Sequence, residues 1–223
     1  MKLGVLFSGG KDSTFATFLA KEYGHDVSCL ISIISQNKES FMFHTPNIEK
    51  TKVQAESMNI PLIVKKTEGK KEIELKDLKS AILEAKKKYK IEGIVTGAVE
   101  SVYQSSRVQK ICNELNLECF NPLWQKPQFE LLEDLIKKKF EVIVAGVFAY
   151  PLDGKWLGRK IDKNFINEMR ILNEKYKISP AGEGGEFETF VLNAPGLFKK
   201  KLRIKDKEIL GEKNSWRMEL SIE

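Results

Sequence analysis

The sequence predicts an α/β protein: a parallel sheet with crossover helices over its first half, followed by a smaller α+β unit. Two observations carry this reading. Up to about residue 120, short runs rich in β-branched residues alternate with longer amphipathic stretches, the pattern of repeated strand–helix–strand units. After Pro122 the rhythm changes to a helix, a fully apolar strand and a strand-rich tail, which suits an antiparallel sheet. The change places a boundary near residue 125, giving expected units of 1–125 and 126–223.

Five strands are expected in the first unit, at 2 to 7 (KLGVLF), 26 to 34 (DVSCLISII), 61 to 66 (PLIVKK), 92 to 96 (EGIVT) and 117 to 120 (LECF). Between them lie helices. The first, at about 13 to 23, puts Phe15, Phe18 and Leu19 on one face and ends at Gly24, the usual residue for a left-handed cap. The second, about 47 to 58, follows Pro46. The third, 72 to 89, turns Leu75, Leu78, Ile82 and Leu83 inward and its lysines outward. A fourth spans 100 to 115. In the second unit, helix 127 to 139 leads into strand 140 to 148 (FEVIVAGVF) and a helix near 162 to 175. The tail runs KKLRIKD, KEILGEK and SWRMELSIE read as a three-run antiparallel meander.

Bulk composition narrows the function classes. The 223 residues suffice to bury a core without disulfides, and 42% hydrophobic with 30% charged residues is the balance of a soluble domain. No apolar run reaches the roughly 18 residues a bilayer span needs. The apolar run at 3 to 7 is too short for a signal-peptide core, so the expected location is cytoplasmic. Cys29, Cys112 and Cys119 show no C-x-x-C spacing and read as buried thiols. The net charge of +6 and the lysine runs at 86–88, 137–139 and 199–201 raise the question of nucleic acid. No aromatic residues interleave with those lysines for stacking, so they read as solvated surface. Oligomeric state is left open, a homodimer included.

The first strand runs directly into Ser8, Gly9, Gly10, Lys11, Asp12 and Ser13, and a helix follows. Adjacent glycines permit positive φ, so that successive N–H groups can face one concavity and bind an anion. The helix N-terminus adds partial positive charge and Lys11 a full one. Ser8 and Ser13 supply hydroxyls, and Asp12 is the candidate ligand for a Mg2+ ion bridging phosphates. The loop is not a Walker sequence, because Val5 stands where that motif needs its first glycine. A capped tight turn is the plain structural alternative. In an open α/β sheet the ligand lies outside the carboxyl ends of the strands, which would bring residues 8 to 13, the 32 to 35 segment with Ile33, and Gly97 to one crevice.

These residues resemble the PP-loop of the ATP pyrophosphatase superfamily, whose members cleave ATP between the α and β phosphates. The resemblance implies a five-stranded parallel, Rossmann-like sheet of the adenine nucleotide alpha hydrolase type.

A second constellation, GEGGEFETFVLNAP at 182 to 195, packs Glu183, Glu186 and Glu188 around Gly184 and Gly185, with Thr189 following. On an extended chain Glu186 and Glu188 project to one face. The plain account is a set of solvated edge charges. The run is similar, nearly letter for letter, to the signature of one branch of the superfamily, the diphthine–ammonia ligases. MFHTPN at 42 to 47, the helical pattern Glu100, Gln104 and Arg107, PLW at 122 to 124 and LGRKID at 157 to 162 agree with that branch. Gly97-Ala98-Val99 departs from it in lacking an acidic residue at that turn.

The resemblance implies the last step of diphthamide formation on translation elongation factor 2. A diphthine carboxylate would attack the α-phosphorus of ATP, giving an acyl-adenylate and pyrophosphate, and ammonia from free ammonium would then displace AMP. Lys11, Asp12, Glu183, Glu186 and Glu188 are the expected catalytic groups, with Ser8 to Ser13, Ile33, His44 and Gly97 around the nucleotide. Glu100, Tyr103, Gln104, Arg107, Gly184, Gly185, Glu186 and Thr189 are expected around the substrate. The three glutamates, with Tyr103 or Trp156, are also candidates for holding the substrate's trimethylammonium group. His44 sits in a long loop that could close as a lid, and His25 reads as structural. Three rival readings remain: a PP-loop enzyme modifying transfer RNA, an amidating enzyme of cobalamin metabolism, and an ATP-binding sensor without turnover.

Overall fold

In a computed structural model of the chain, residues 1–37 and 47–223 are described. His44 and the segment around it lie outside them. The first sheet holds five parallel strands, β1 (Lys2–Leu6), β2 (Asp26–Ser35), β3 (Leu62–Thr67), β4 (Gly93–Val95) and β5 (Glu118–Phe120), in the order β3-β2-β1-β4-β5. The order reverses at β1, so the crevice at the carboxyl ends of β1 and β4 is where a ligand fits. The helices between them are α1 (Lys11–Glu22), α2 (Thr51–Met58), α3 (Lys71–Tyr89) and α4 (Val102–Glu114). Parallel strands buried on both faces need apolar residues on both, and β2 supplies them: Cys29, Ile31 and Ile33 pack toward α3 and α4, while Val27 and Leu30 pack toward α1. On α3, Leu78 and Ile82 are fully buried, with Leu75 and Leu83 half-buried at the margin of that face.

The remainder forms α5 (Gln128–Lys137), β6 (Glu141–Val147), α6 (Lys163–Tyr176), β7 (Phe187–Asn193), β8 (Ile204–Glu212) and β9 (Ser215–Ile222). These strands make an antiparallel sheet in the order β7-β6-β9-β8. The tail is therefore a two-stranded hairpin and not the expected three-run meander. Asp206 and Gly211 lie within IKDKEILGE without turning the chain, which pairs with β9 from Ile204 to Glu212 with one irregularity between Ile204 and Asp206 and reverses only at Lys213, whose φ is 54°. The segment from Lys199 to Arg203 before it forms no strand of its own, although Arg203 exchanges backbone hydrogen bonds with Glu223.

One apolar core runs through both sheets. It joins Leu3 and Val5 of β1, Phe15 and Ala16 of α1, Leu131 and Leu135 of α5, and Val142, Val144 and Val191 of the second sheet. Phe15 and Phe18 meet the edge of Phe140, each with centroids 5.5 Å apart. Fully burying such a side chain is worth about 1.5–3 kcal/mol, so α1 is clamped between the two sheets by several such terms. Among the described residues no helix is long and apolar enough to cross a membrane.

Candidate functional site

The glycine loop follows β1 at the topological switch point. Phe7 continues the β1 direction by donating its N–H to Ile31 O, and the buried Ser32 hydroxyl donates to Phe7 O at 2.7 Å. Gly9 then takes φ +80°, a conformation any side chain would strain. Gly10 is extended, with φ −78°, so only the first glycine uses the left-handed freedom that the pair of glycines suggests. Helix α1 begins at Lys11, two residues before the expected start, so Lys11 and Asp12 belong to its first turn. Ser13 closes the loop: its hydroxyl accepts from Ser8 N–H at 3.2 Å and donates to Gly10 O at 3.3 Å.

Gly10, the N-cap of α1, offers no side chain, and a residue far away in sequence supplies the acceptor. Lys11 N–H donates to the Thr189 hydroxyl at 3.0 Å. The N–H groups of Gly9, Gly10, Asp12 and Ser13 have no acceptor among the described residues. Four open donors at a helix N-terminus, beside a lysine, are an arrangement able to cradle an anion. Gly97 backs this cradle. A Cβ on it would stand 2.7 Å from Ser13 N and 2.8 Å from Asp12 C, so the turn after β4 can press on α1 only without a side chain.

A cleft of about 430 Å³ opens in front of the loop. Ser8, Gly10, Lys11, Asp12, Ser13 and Gly97 form one wall, and Gly182 to Gly185, Phe187, Glu188 and Thr189 the opposite one. An apolar side is made by Leu6, Ile31, Ile33, Ile48 and Val108, with Ser101 and Gln104 at the start of α4.

Electrostatics centre on Lys11, whose side chain is 5% exposed. Its Nζ lies 2.8 Å from Asp12 Oδ2, 3.8 Å from Glu183 Oε1 and 5.9 Å from the centre of the Phe187 ring. Burial pulls the ammonium pKa down, but Asp12, Glu183 and Glu188 more than offset it and the net shift is upward. Glu183 is pushed up to about 7 by burial and by Asp12, against the pull of Lys11. Glu188 is also raised to about 7, by burial first. Asp12 Oδ1 is buried and has no partner among the described residues.

The other expected residues divide. Glu186 does not line the cleft. It precedes β7, where strand alternation does not yet operate, and its Oε1 accepts from Ser179 N–H at 2.8 Å, bracing the turn that carries Glu183. Tyr103 and Arg107 stack on each other on α4, with the guanidinium 3.3 Å from the ring centre, and Trp156 stacks with Arg159 at 4.1 Å. None of these four lines the cleft, where the aromatic rings are those of Phe7 and Phe187. Glu100 accepts from Gln128 Nε2 at 3.1 Å.

Gln128 and Gln54 are additions that sequence reading did not find. Gln128, at the start of α5, accepts from the Ser179 hydroxyl at 2.7 Å and from Ala181 N–H at 2.9 Å, and so ties the Glu183 turn to Glu100. Gln54 bonds the glycine loop from α2. Neither carries a local motif, because both act on residues remote in the chain.

Comparison with known proteins bears on this arrangement. Residues 1–119 match the Diphthamide synthase N-terminal domain and residues 127–221 the Diphthamide synthase C-terminal domain. The chain is 33% identical over 229 residues to the Diphthine--ammonia ligase of Bos taurus, covering 94% of this chain and 85% of that one. It is 33% identical over 226 residues to the Diphthine--ammonia ligase of Schizosaccharomyces pombe, where it spans 37% of a longer protein. A solved structure described as a predicted subunit of tRNA methyltransferase from Methanocaldococcus jannaschii aligns over 89% of the chain with a TM-score of 0.45 and 17% identity, too remote to bear on function. With both domain families matched in order along nearly the whole chain, the protein belongs to the diphthine–ammonia ligase family, enzymes that form a carbon–nitrogen bond.

Proposed function

We propose that this chain converts the carboxylate of diphthine on translation elongation factor 2 to its amide, using ammonium and ATP and releasing AMP and pyrophosphate. The observation that carries the proposal is the pairing across one cleft of an anion cradle, made by the loop amides and Lys11, with the carboxylates Glu183 and Glu188 of the second sheet. ATP is a substrate here. Its phosphates would meet the open N–H groups of Gly9, Gly10, Asp12 and Ser13, and its base the apolar side at Ile31, Ile33 and Val108.

The chemistry needs no protein nucleophile. The diphthine carboxylate would attack the α-phosphorus, forming an acyl-adenylate and expelling pyrophosphate, and ammonia would then attack the acyl carbon and expel AMP. Lys11 and the fixed amides stabilise charge that grows on the phosphate oxygens, a preorganised electrostatic contribution. Ammonium must shed a proton before it can attack. A carboxylate whose pKa lies about 7, as for Glu188, is matched to accept it near neutral pH.

Asp12, with its buried unpartnered oxygen, fits a Mg2+ ion. Among the described residues no three His, Cys, Asp or Glu side chains gather into a metal cage. One carboxylate with phosphate and water completing the shell is how Mg2+ is commonly held, and when bound there it would neutralise the departing pyrophosphate.

A sulfur-transfer role on RNA finds less support. None of the three cysteines lines the cleft, and burial pushes Cys29 up to about 12, away from the reactive thiolate. We further read residues 1–125 as the nucleotide-binding unit and 126–223 as the unit that presents the acceptor.

The test is incubation of the purified chain with ATP, Mg2+, ammonium and diphthine-bearing elongation factor 2, following AMP release and the mass of the factor. The expected result is AMP formed in step with a mass loss equal to the exchange of OH for NH2. ATP bound without a mass change would refute the acceptor, and no ATP binding would refute the whole reading.

A further inference from the structure

Two side chains outside the glycine loop set its shape. Gln54 on α2 is fully buried. Its amide nitrogen donates to Gly9 O at 3.0 Å and to Val191 O at 2.8 Å, while Val191 N–H also donates to Gly9 O at 3.1 Å. Both neighbours of the amide nitrogen are carbonyls, so only one orientation of the Gln54 side chain fits. That orientation leaves Oε1 without a partner among the described residues, pressed on Gly9 and 2.2 Å from where a Cβ would stand. A buried amide oxygen left unpaired is unfavourable, and an apolar side chain of similar volume would avoid it.

The arrangement has a geometric consequence at the cradle. In a trans peptide the C=O and the next N–H point in opposite directions. Gly9 O, held by two donors from α2 and β7, therefore fixes Gly10 N–H on the opposite side, and Gly10 lines the cleft. Thr189 acts one residue further on. Its hydroxyl takes Lys11 N–H, anchors the first turn of α1 and leaves the flanking amides open.

We propose that Gln54 and Thr189 are positioning residues for the phosphate step, holding the Gly9–Gly10 peptide with its N–H turned into the cleft before nucleotide arrives. The inference rests on the loop being the phosphate cradle, as proposed above. It makes β7 of the second sheet part of the nucleotide site, so the loop is built by residues up to 182 positions away from it in sequence. Preorganised donors give more stabilisation than donors that must be oriented on binding, because no reorganisation is needed at the moment of reaction.

The experiment uses the full chain with Gln54→Met, Thr189→Val and Thr189→Ser, and reads three quantities: the thermal midpoint, the equilibrium Kd for ATP with Mg2+, and amide hydrogen exchange at Lys11 and Val191. Gln54→Met and Thr189→Val keep the bulk of the native side chains and remove only the donor or the acceptor. Both are expected to keep a cooperative unfolding transition, weaken ATP by about tenfold or more, and speed exchange at Val191 and Lys11 respectively. Thr189→Ser restores the hydroxyl and is expected to restore both readouts. A merely structural role would lower the midpoint and leave the Kd, measured well below it, unchanged. Unchanged Kd and exchange in Gln54→Met and Thr189→Val, in a chain that binds ATP, overturn this inference alone. Failure of the unsubstituted chain to bind ATP overturns the cradle reading and this inference with it.

Discussion

Replacing Lys11 by methionine tests the charge balance on which the site depends. Lys11 is the cation facing Asp12, Glu183 and Glu188, and its Nζ is 2.8 Å from Asp12 and 3.8 Å from Glu183. Removing one partner of a buried ion pair costs about 3–5 kcal/mol, and the partial exposure of Asp12 places this case near the lower end, about 3 kcal/mol. For a chain of this size that is a fall in melting temperature of about 6–12 °C. The loss should depend on pH. The raised pKa of Lys11 makes its contribution complete at any pH below 10.5, so the native lysine is fully charged throughout the useful range. The carboxylates behave otherwise. Glu183 and Glu188 are raised from 4.5 to about 7, so the folded chain keeps protons that the unfolded chain releases, and stability falls as pH rises through that window. Without Lys11 both pKa values move higher still. At about pH 8 the variant must bury charge or hold protons against solution, whereas at about pH 5.5 both glutamates are neutral and only Asp12 lacks its partner. Thermal unfolding followed by circular dichroism at the two pH values is therefore expected to show a larger loss at the higher than at the lower. Equal losses at the two pH values, or no loss at the higher one, would refute the electrostatic account.

Three further substitutions probe the same geometry. Glu188→Gln removes a carboxylate whose pKa is raised from 4.5 to about 7, so denaturation across pH should show the variant gaining about 3 kcal/mol over the native chain above pH 7 and nothing below pH 4.5. Amide formation by the same variant should fall by about tenfold or more if this carboxylate takes the ammonium proton. Gly97→Ala drives a methyl to 2.7 Å from Ser13 N, and titration should show ATP affinity reduced by about tenfold or more with an unchanged circular dichroism spectrum. Gln128→Leu removes the acceptor of the Ser179 hydroxyl and Ala181 N–H and so unties the turn that carries Glu183 from Glu100, so steady-state kinetics should show a lower kcat with the KM for ATP little changed, together with a stability loss of about 1–3 kcal/mol.

Much of the first sheet was legible because its signals are local. Each expected strand lies within two residues of an observed one at either end, since β-branched runs such as VSCLISII are flanked by helical periodicity on both sides. The glycine loop was legible for the same reason: strand, glycines, lysine and helix are contiguous. The start of α1 was placed late because its cap acceptor, Thr189, is remote, and local sequence gave only Gly10 without a capping side chain. The tail was misread as three runs because a break was placed after Asp206, a residue common in turns, whereas the chain absorbs it as an irregularity in the β8–β9 pairing.

For the site, the sequence by itself determined which residues could carry the chemistry: the loop amides with Lys11 and Asp12, and the acidic run with Glu183 and Glu188. Chemical type and close spacing are properties of the chain, and they survive without a fold. Only the tertiary structure decided that the acidic run faces the loop, that Glu186 turns back to Ser179, that Tyr103 is covered by Arg107, and that Gln54 and Thr189 bond the glycine loop while Gln128 bonds the turn before Glu183. Those outcomes depend on contacts between segments far apart in sequence, whose relative placement follows from packing α1 between two sheets around one core, and packing of that kind has no short-range signature in the chain.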